Sequence, residues 1–193
     1  MTITLYGGAQ TRASMPRWYM EEKGIPYELV DVSIGASQHL QPDFLAVNPF
    51  GKLPALRDGS VLDRNGEPVT LFESGAILVH LAEHHGGEIQ TAADRSLISQ
   101  WTHFANSTLA FAIFVPDQKI KVLPRLLKQL DQQISEGCLV GDSWGAADCA
   151  VTAYLAYIKL FFPQEDLSAY PAVEGLIEAT RQRPAYRTVM GMG

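Results

Sequence analysis

Cysteine is scarce in this chain: 193 residues hold two, Cys138 and Cys149. A scaffold built on several disulfides is thereby excluded, and the expected state is two reduced, partly buried thiols in a cytoplasmic protein. Basic blocks are also missing. Fifteen Lys and Arg stand against 21 Asp and Glu, a formal net charge of −6, which argues against nucleic acid as a partner. No apolar run approaches the roughly 20 residues that span a bilayer, so no membrane partner is expected. The first residues alternate in character and do not form the continuous apolar stretch of a signal peptide. There is no internal repeat and no low-complexity tract. His80 and His84 stand at i and i+4, the spacing of a metal pair, but no third ligand is evident, so no metal is expected.

What is present is a 47% hydrophobic composition, enough for one large domain or two small ones. Thr2 to Tyr6 alternates and is rich in β-formers, so it reads as a strand ended by Gly7-Gly8. A helix follows to Lys23, its first turn near Ala13 to Pro16, with Ser14 as candidate cap. Tyr27 to Val32 reads as a second strand, and strand, helix, strand at this length is a βαβ unit with a parallel pair. Pro42 to Val47 is a short helical piece. Leu53 to Arg57 and Val69 to Phe72 are strands, with Asp58-Gly59 and Asn65-Gly66 as turn signals. Ser74 opens a helix that ends at His85-Gly86-Gly87. Beyond Gly87 the β-rich composition fades, and Ala93–Phe114, Ile120–Ser135, Ala146–Phe162 and Val173–Arg183 read as helices.

Two segments carry more information than the rest. Asn48-Pro49-Phe50-Gly51-Lys52-Leu53-Pro54-Ala55-Leu56 is a turn running into an extended stretch that contains a proline. Proline cannot donate a ladder hydrogen bond, so it belongs at an edge, a strand start or a bulge, and it leaves the backbone of Leu53 facing outward. Leu71-Phe72-Glu73-Ser74-Gly75-Ala76-Ile77 ends a strand on an acid and a serine at a helix start. One offers an open backbone edge, the other a carboxylate and a helix N-terminus. Together they suit a small peptide carrying both an amine and a carboxylate.

These two segments closely resemble the glutathione-binding half of the soluble glutathione transferases. The family carries a cis-proline in the first and a Glu/Gln-Ser pair in the second. The resemblance implies an α/β thioredoxin-like N-terminal domain over 1–85. An all-α C-terminal domain over 92–193 would form the electrophile pocket. It implies a homodimer that conjugates glutathione, as co-substrate, to small hydrophobic electrophiles in detoxification. The opening Leu5-Tyr6-Gly7-Gly8-Ala9, with Arg12-Ala13-Ser14 and Trp18-Tyr19 behind it, looks like the cyanobacterial chi class. Gly145-x-x-Asp148 stands where the family has a Ser/Thr-x-x-Asp capping box, so the hydroxyl half of that cap is missing.

The resemblance also assigns roles. Leu53, before Pro54, pairs its backbone with the cysteinyl unit in a miniature strand addition. Glu73 takes the γ-glutamyl ammonium and Ser74 its carboxylate. Lys52 and His39 meet the glycyl carboxylate. The catalytic candidates are Thr11, Arg12 and Ser14, and Tyr6 is placed like the tyrosine of several classes. Lowering a thiol pKa by two units takes about 2.7 kcal/mol of thiolate stabilisation, which a hydroxyl, a cation and a helix N-terminus can share. Neither cysteine lies near this loop, which argues against the cysteine-based, mixed-disulfide branches of the fold. A peroxidase using the glutathione thiolate, an isomerase and a non-catalytic binding or dimerising module remain alternatives. Phe104, Phe111 and Phe114 fall on the helix that walls the second pocket, but helical aromatics are more often core.

Overall fold

The computed structural model describes residues 2–8 and 11–192. Ala9 and Gln10, which belong to the loop that holds the catalytic candidates, lie outside the described residues. The chain divides between Gly87 and Glu88 into two units.

In the first unit β1 (Ile3–Gly7) runs parallel to β2 (Tyr27–Asp31), and α1 (Ser14–Lys23) connects them. β3 (Ala55–Leu62) returns antiparallel to β1 and pairs with β4 (Pro68–Phe72), giving the sheet order β2-β1-β3-β4. This is the thioredoxin-like arrangement. Alternation along β1 buries Ile3 and Leu5 on one face of the sheet. α1 supplies Met15, Trp18, Tyr19 and Met20, and α3 (Ser74–His84) supplies Ile77, Leu78 and Leu81, all fully or almost fully buried. On the other face a smaller cluster of Val32, Phe44 and Ala55 packs with Tyr6, Val30, Val47 and Leu53. Phe44 comes from the one-turn α2 (Pro42–Leu45). Tyr6 packs in this cluster, its ring 6.1 Å from that of Phe44.

Three local expectations change. The third strand was expected at Leu53–Arg57 but starts after the proline and continues through Asp58-Gly59 to Leu62. Asp58-Gly59 is no hairpin turn. It is a register irregularity in which Asp58 Oδ1 accepts from the N–H and Oγ of Ser60. The turn sits later, where Asp63 Oδ1 accepts from the N–H groups of Asn65 and Glu67. Ser14 does not cap α1, because the cap position is Ala13 and the Ser14 hydroxyl donates back to the Thr11 carbonyl at 3.1 Å.

The second unit is helical. α4 (Ala92–His103) opens on a capping box of Thr91 and Asp94 and passes through a π-helical stretch, Phe104–Leu109, into α5 (Ala110–Phe114). α6 (Pro116–Lys121) and α7 (Leu123–Glu136) replace the single helix expected from Ile120. α8 (Ala146–Phe161) is the buried spine, followed by α9 (Pro171–Gln182) and α10 (Pro184–Met190), the last not anticipated. The missing cap hydroxyl at Gly145 has a substitute. Asp148 Oδ2 accepts from the Gly145 N–H at 3.0 Å, and the Glu88 carboxylate accepts from the Ala146 N–H at 2.9 Å. A Cβ on residue 145 would collide with that Glu88 carboxylate, so glycine and Glu88 are a matched pair. Among the described residues no helix is long and apolar enough to cross a membrane.

Candidate functional site

Within the first unit the segments that follow β1, β2 and β4 and the one that precedes β3 line a cavity of about 550 Å³, a size typical of small-ligand sites. Thr11, Arg12, His39, Lys52, Leu53, Pro54, Glu73 and Ser74 all line it. Ser14 does not. Sequence reasoning passed over Ile34, Asn48, Phe50, Gly51 and Phe72, which also line it. For Asn48 the signal was available in the Asn-Pro-x-Gly turn. Its side chain is buried, its Nδ2 donates to the Lys52 carbonyl at 2.8 Å, and its Oδ1 accepts from the Phe50 N–H at 3.1 Å. Those two bonds hold the turn. Gly51 adopts φ +59, where an L side chain is strained, and a Cβ there would also press on the His39 carbonyl.

The Leu53-Pro54 peptide is cis. Among the described residues the backbone N–H and C=O of Leu53 form no hydrogen bond, and ladder pairing begins only at Ala55. Unpaired strand-like backbone next to a cavity is a docking edge for an extended peptide.

At the other junction Glu73 has φ +70 and ψ +116, a strained conformation for a residue with a side chain. It turns β4 abruptly into α3, so that the exposed Glu73 carboxylate and the buried Ser74 meet at the cavity wall. Ser74 is the first residue of α3, where amides and the helix dipole favour an anion. Lys52 is exposed, and among the described residues its ammonium has no ion-pair partner. His39 Nδ1 is a buried atom with no hydrogen-bond partner among the described residues, a position that invites one from a ligand.

Thr11 is half-buried and its hydroxyl is engaged twice. It donates to the Gly8 carbonyl at 2.9 Å and accepts from the Ala13 N–H at 3.2 Å. The first amides of α1 are also engaged, Ser14 N–H by the Thr11 carbonyl and Met15 N–H by that of Arg12. A thiolate at this wall would have to attract the Thr11 proton away from a neutral carbonyl. That exchange is favourable, because a hydrogen bond to a charged acceptor is roughly twice as strong.

Outside the cavity the histidines pair differently from the i, i+4 expectation. His80 Nε2 and His85 Nε2 both contact Asp58 Oδ2, at 2.9 and 2.6 Å, while the His84 ring lies tilted against His80 at 4.6 Å between centroids. The third polar group that the sequence did not reveal is therefore Asp58, 22 residues away on β3. Burial raises the Asp58 pKa, and the hydrogen bonds from Ser60, His85 and His80 together outweigh it, leaving the carboxyl well below its ordinary value. Burial lowers the His80 pKa against the opposing pull of Asp58.

Two family models match the chain, "Glutathione S-transferase, N-terminal domain" over residues 1–83 and "Glutathione S-transferase, C-terminal domain" over 110–187. Among curated proteins, the Disulfide-bond oxidoreductase YfcG of Escherichia coli is 32% identical over 95% of this chain and 92% of its own length. Glutathione S-transferase 3 of Zea mays is 31% identical over 87% of this chain and 83% of its own. Among solved structures, a glutathione transferase from Burkholderia graminis with two glutathione molecules bound per subunit superposes with a TM-score of 0.78. It is 29% identical and covers 98% of this chain, which covers 87% of it.

Proposed function

The chain belongs to the glutathione S-transferase family, and from that premise we propose that it binds glutathione in the cavity of its first unit and transfers the tripeptide's thiolate to small hydrophobic electrophiles. The observation that carries this reading is the convergence on one cavity of an unpaired Leu53 backbone, a Glu73-Ser74 helix start, and the Lys52 and His39 side chains. Leu53 pairs with the cysteinyl backbone, Glu73 with the γ-glutamyl ammonium, Ser74 with its carboxylate, and Lys52 and His39 with the glycyl carboxylate. The thiolate then lies toward Thr11, whose hydroxyl leaves Gly8 to donate to it. The Arg12 guanidinium, also at the cavity wall, adds positive charge. The sulfur attacks an activated carbon, an S–C bond forms, and a halide leaves or a double bond takes a proton.

The electrophile site belongs to the helical unit, and the working form is a homodimer. Cys138 and Cys149, neither of them in a disulfide, fit the cytoplasm, where glutathione is kept reduced. The opening segment from Leu5, with Trp18, supports the chi class within the family. Equilibrium sedimentation at micromolar concentration checks the dimer, and a single monomeric species would remove it.

A second reading is favoured by the named activity of the Escherichia coli relative. In it the bound glutathione thiolate attacks a disulfide, and a second glutathione completes the exchange. Steady-state turnover separates the two. Conjugation of chlorodinitrobenzene supports transfer, whereas reduction of hydroxyethyl disulfide without conjugation supports the oxidoreductase. Binding of glutathione with neither activity leaves a binding module. In the active case Thr11→Ala is expected to lower kcat/KM about 10- to 100-fold at nearly unchanged glutathione affinity. Ser14→Ala is expected to act weakly.

A further inference from the structure

Asp58 is completely buried, at 0% exposure, and a buried carboxylate needs both its hydrogen bonds and its charge matched. The hydrogen bonds are present. Oδ1 accepts from the Ser60 N–H at 2.8 Å and Ser60 Oγ at 2.6 Å, and Oδ2 faces both imidazole Nε2 atoms. A fixed cation is not: among the described residues Asp58 has no Lys or Arg partner. The positive charge must be an imidazolium or a bound cation. His80 is 8% exposed and lies between Asp58 and the tilted His84 ring, a poor place for a proton's charge. His85 is 19% exposed and opens the cluster toward solvent.

We propose that Asp58 Oδ2, His80 Nε2 and His85 Nε2, which all lie within 4.8 Å of one another, form a site for a divalent transition-metal ion, with water completing the coordination on the His85 side. Two imidazoles and one carboxylate are the donor set of zinc, cobalt or nickel. Magnesium and calcium prefer all-oxygen shells, and copper(I) prefers sulfur. Ser60 holds the far carboxylate oxygen, as an orienting partner does around a ligating carboxylate. Metal at about 2.0–2.1 Å from each donor sets the donors about 3.3 Å apart in a tetrahedral site. The present 2.9 and 2.6 Å separations would therefore open by about 0.4 and 0.7 Å as the ion enters. Each neutral imidazole then presents its Nε2 lone pair and carries its proton on Nδ1.

None of the three residues lines the glutathione cavity. The ion would instead clamp the C-terminal end of α3 to β3, the two elements that carry Ser74 and follow Pro54. Its role is structural, and it takes no part in thiol chemistry.

The test uses tag-free full-length protein freed of metal by a chelator and then titrated with zinc by calorimetry and with cobalt(II) by visible absorption. One ion per chain is expected, with ligand-field bands of an imidazole-oxygen site. The melting temperature should rise by about 5 °C or more with zinc at about 100 times its Kd. His85→Gln should weaken binding at least ~10-fold, while His84→Gln and His103→Gln retain it. Should His85→Gln misfold, cobalt-shifted imidazole N–H resonances in the wild type give the same answer, two being expected. No stoichiometric uptake, uptake unaffected by a folded His85→Gln, or no shifted imidazole signal would each overturn the site and leave a plain hydrogen-bonded clamp.

Discussion

Glu73 shows most plainly how one residue can carry a cost for the sake of a site. A side chain at φ +70 costs on the order of 1–3 kcal/mol, while glycine there would give back about 0.5–1 kcal/mol in chain entropy. Glu73→Gly is therefore expected to raise stability by about 1 kcal/mol in denaturant unfolding and to weaken glutathione at least ~10-fold in calorimetry. Glu73→Gln, which keeps the backbone strain, should lose affinity without gaining stability. Loss of stability in the glycine variant would show that the surrounding structure, and no strain, fixes this conformation. Eight of the thirteen wall residues were legible in the sequence, five of them because two short segments hold them. The state of Thr11 was not. Its hydroxyl bonds to Gly8 and Ala13 depend on how the turn before α1 closes, which no spacing rule encodes.

Among elements, α8 depends on a cap assembled from two places in the chain. Glu88→Ala should leave the Ala146 N–H without its carboxylate acceptor and cost about 1 kcal/mol, within the usual range for a lost cap. Gly145→Ser alone should be unfavourable because its Cβ meets Glu88. In the Glu88→Ala background the serine should recover part of the loss, and a double-mutant cycle measures the coupling. The turn of residues 48–52 is the second vulnerable element. Asn48→Ala leaves the Phe50 amide and the Lys52 carbonyl without partners and should cost about 1–3 kcal/mol, seen as a lowered urea midpoint with unchanged slope. Element order and type were readable from periodicity and from Gly and Pro positions. Strand three was not, because Asp58-Gly59 has the composition of a turn. The partners of Asp58, the buried His80, the half-buried His85 and Ser60, explain why the chain stays extended there. α10 was missed because Pro184 reads equally well as a stop or as the first turn of a new helix.

Across the whole molecule, alkaline stability has an identifiable source in the helical unit. Tyr186 is buried, and burial, reinforced by Tyr157, pushes its pKa up to about 12. Its ordinary value is 10.0. Between those values the folded state keeps a proton that the unfolded chain has released, so stability is intact below about pH 10 and falls as pH rises toward 12. The two-unit difference limits this contribution to about 3 kcal/mol. Tyr186→Phe should flatten that limb of the stability–pH curve in chemical denaturation, and an unchanged slope would assign the alkaline loss to other groups. The confinement of every cavity-lining residue to positions 11–74 has a further consequence. On the proposed reading, the cavity residues that recognise the tripeptide can be inherited apart from everything after Gly87. Lineages, or a protein engineer grafting a foreign helical half at that junction, can rewrite the second half of the gene without altering the residues that line this cavity.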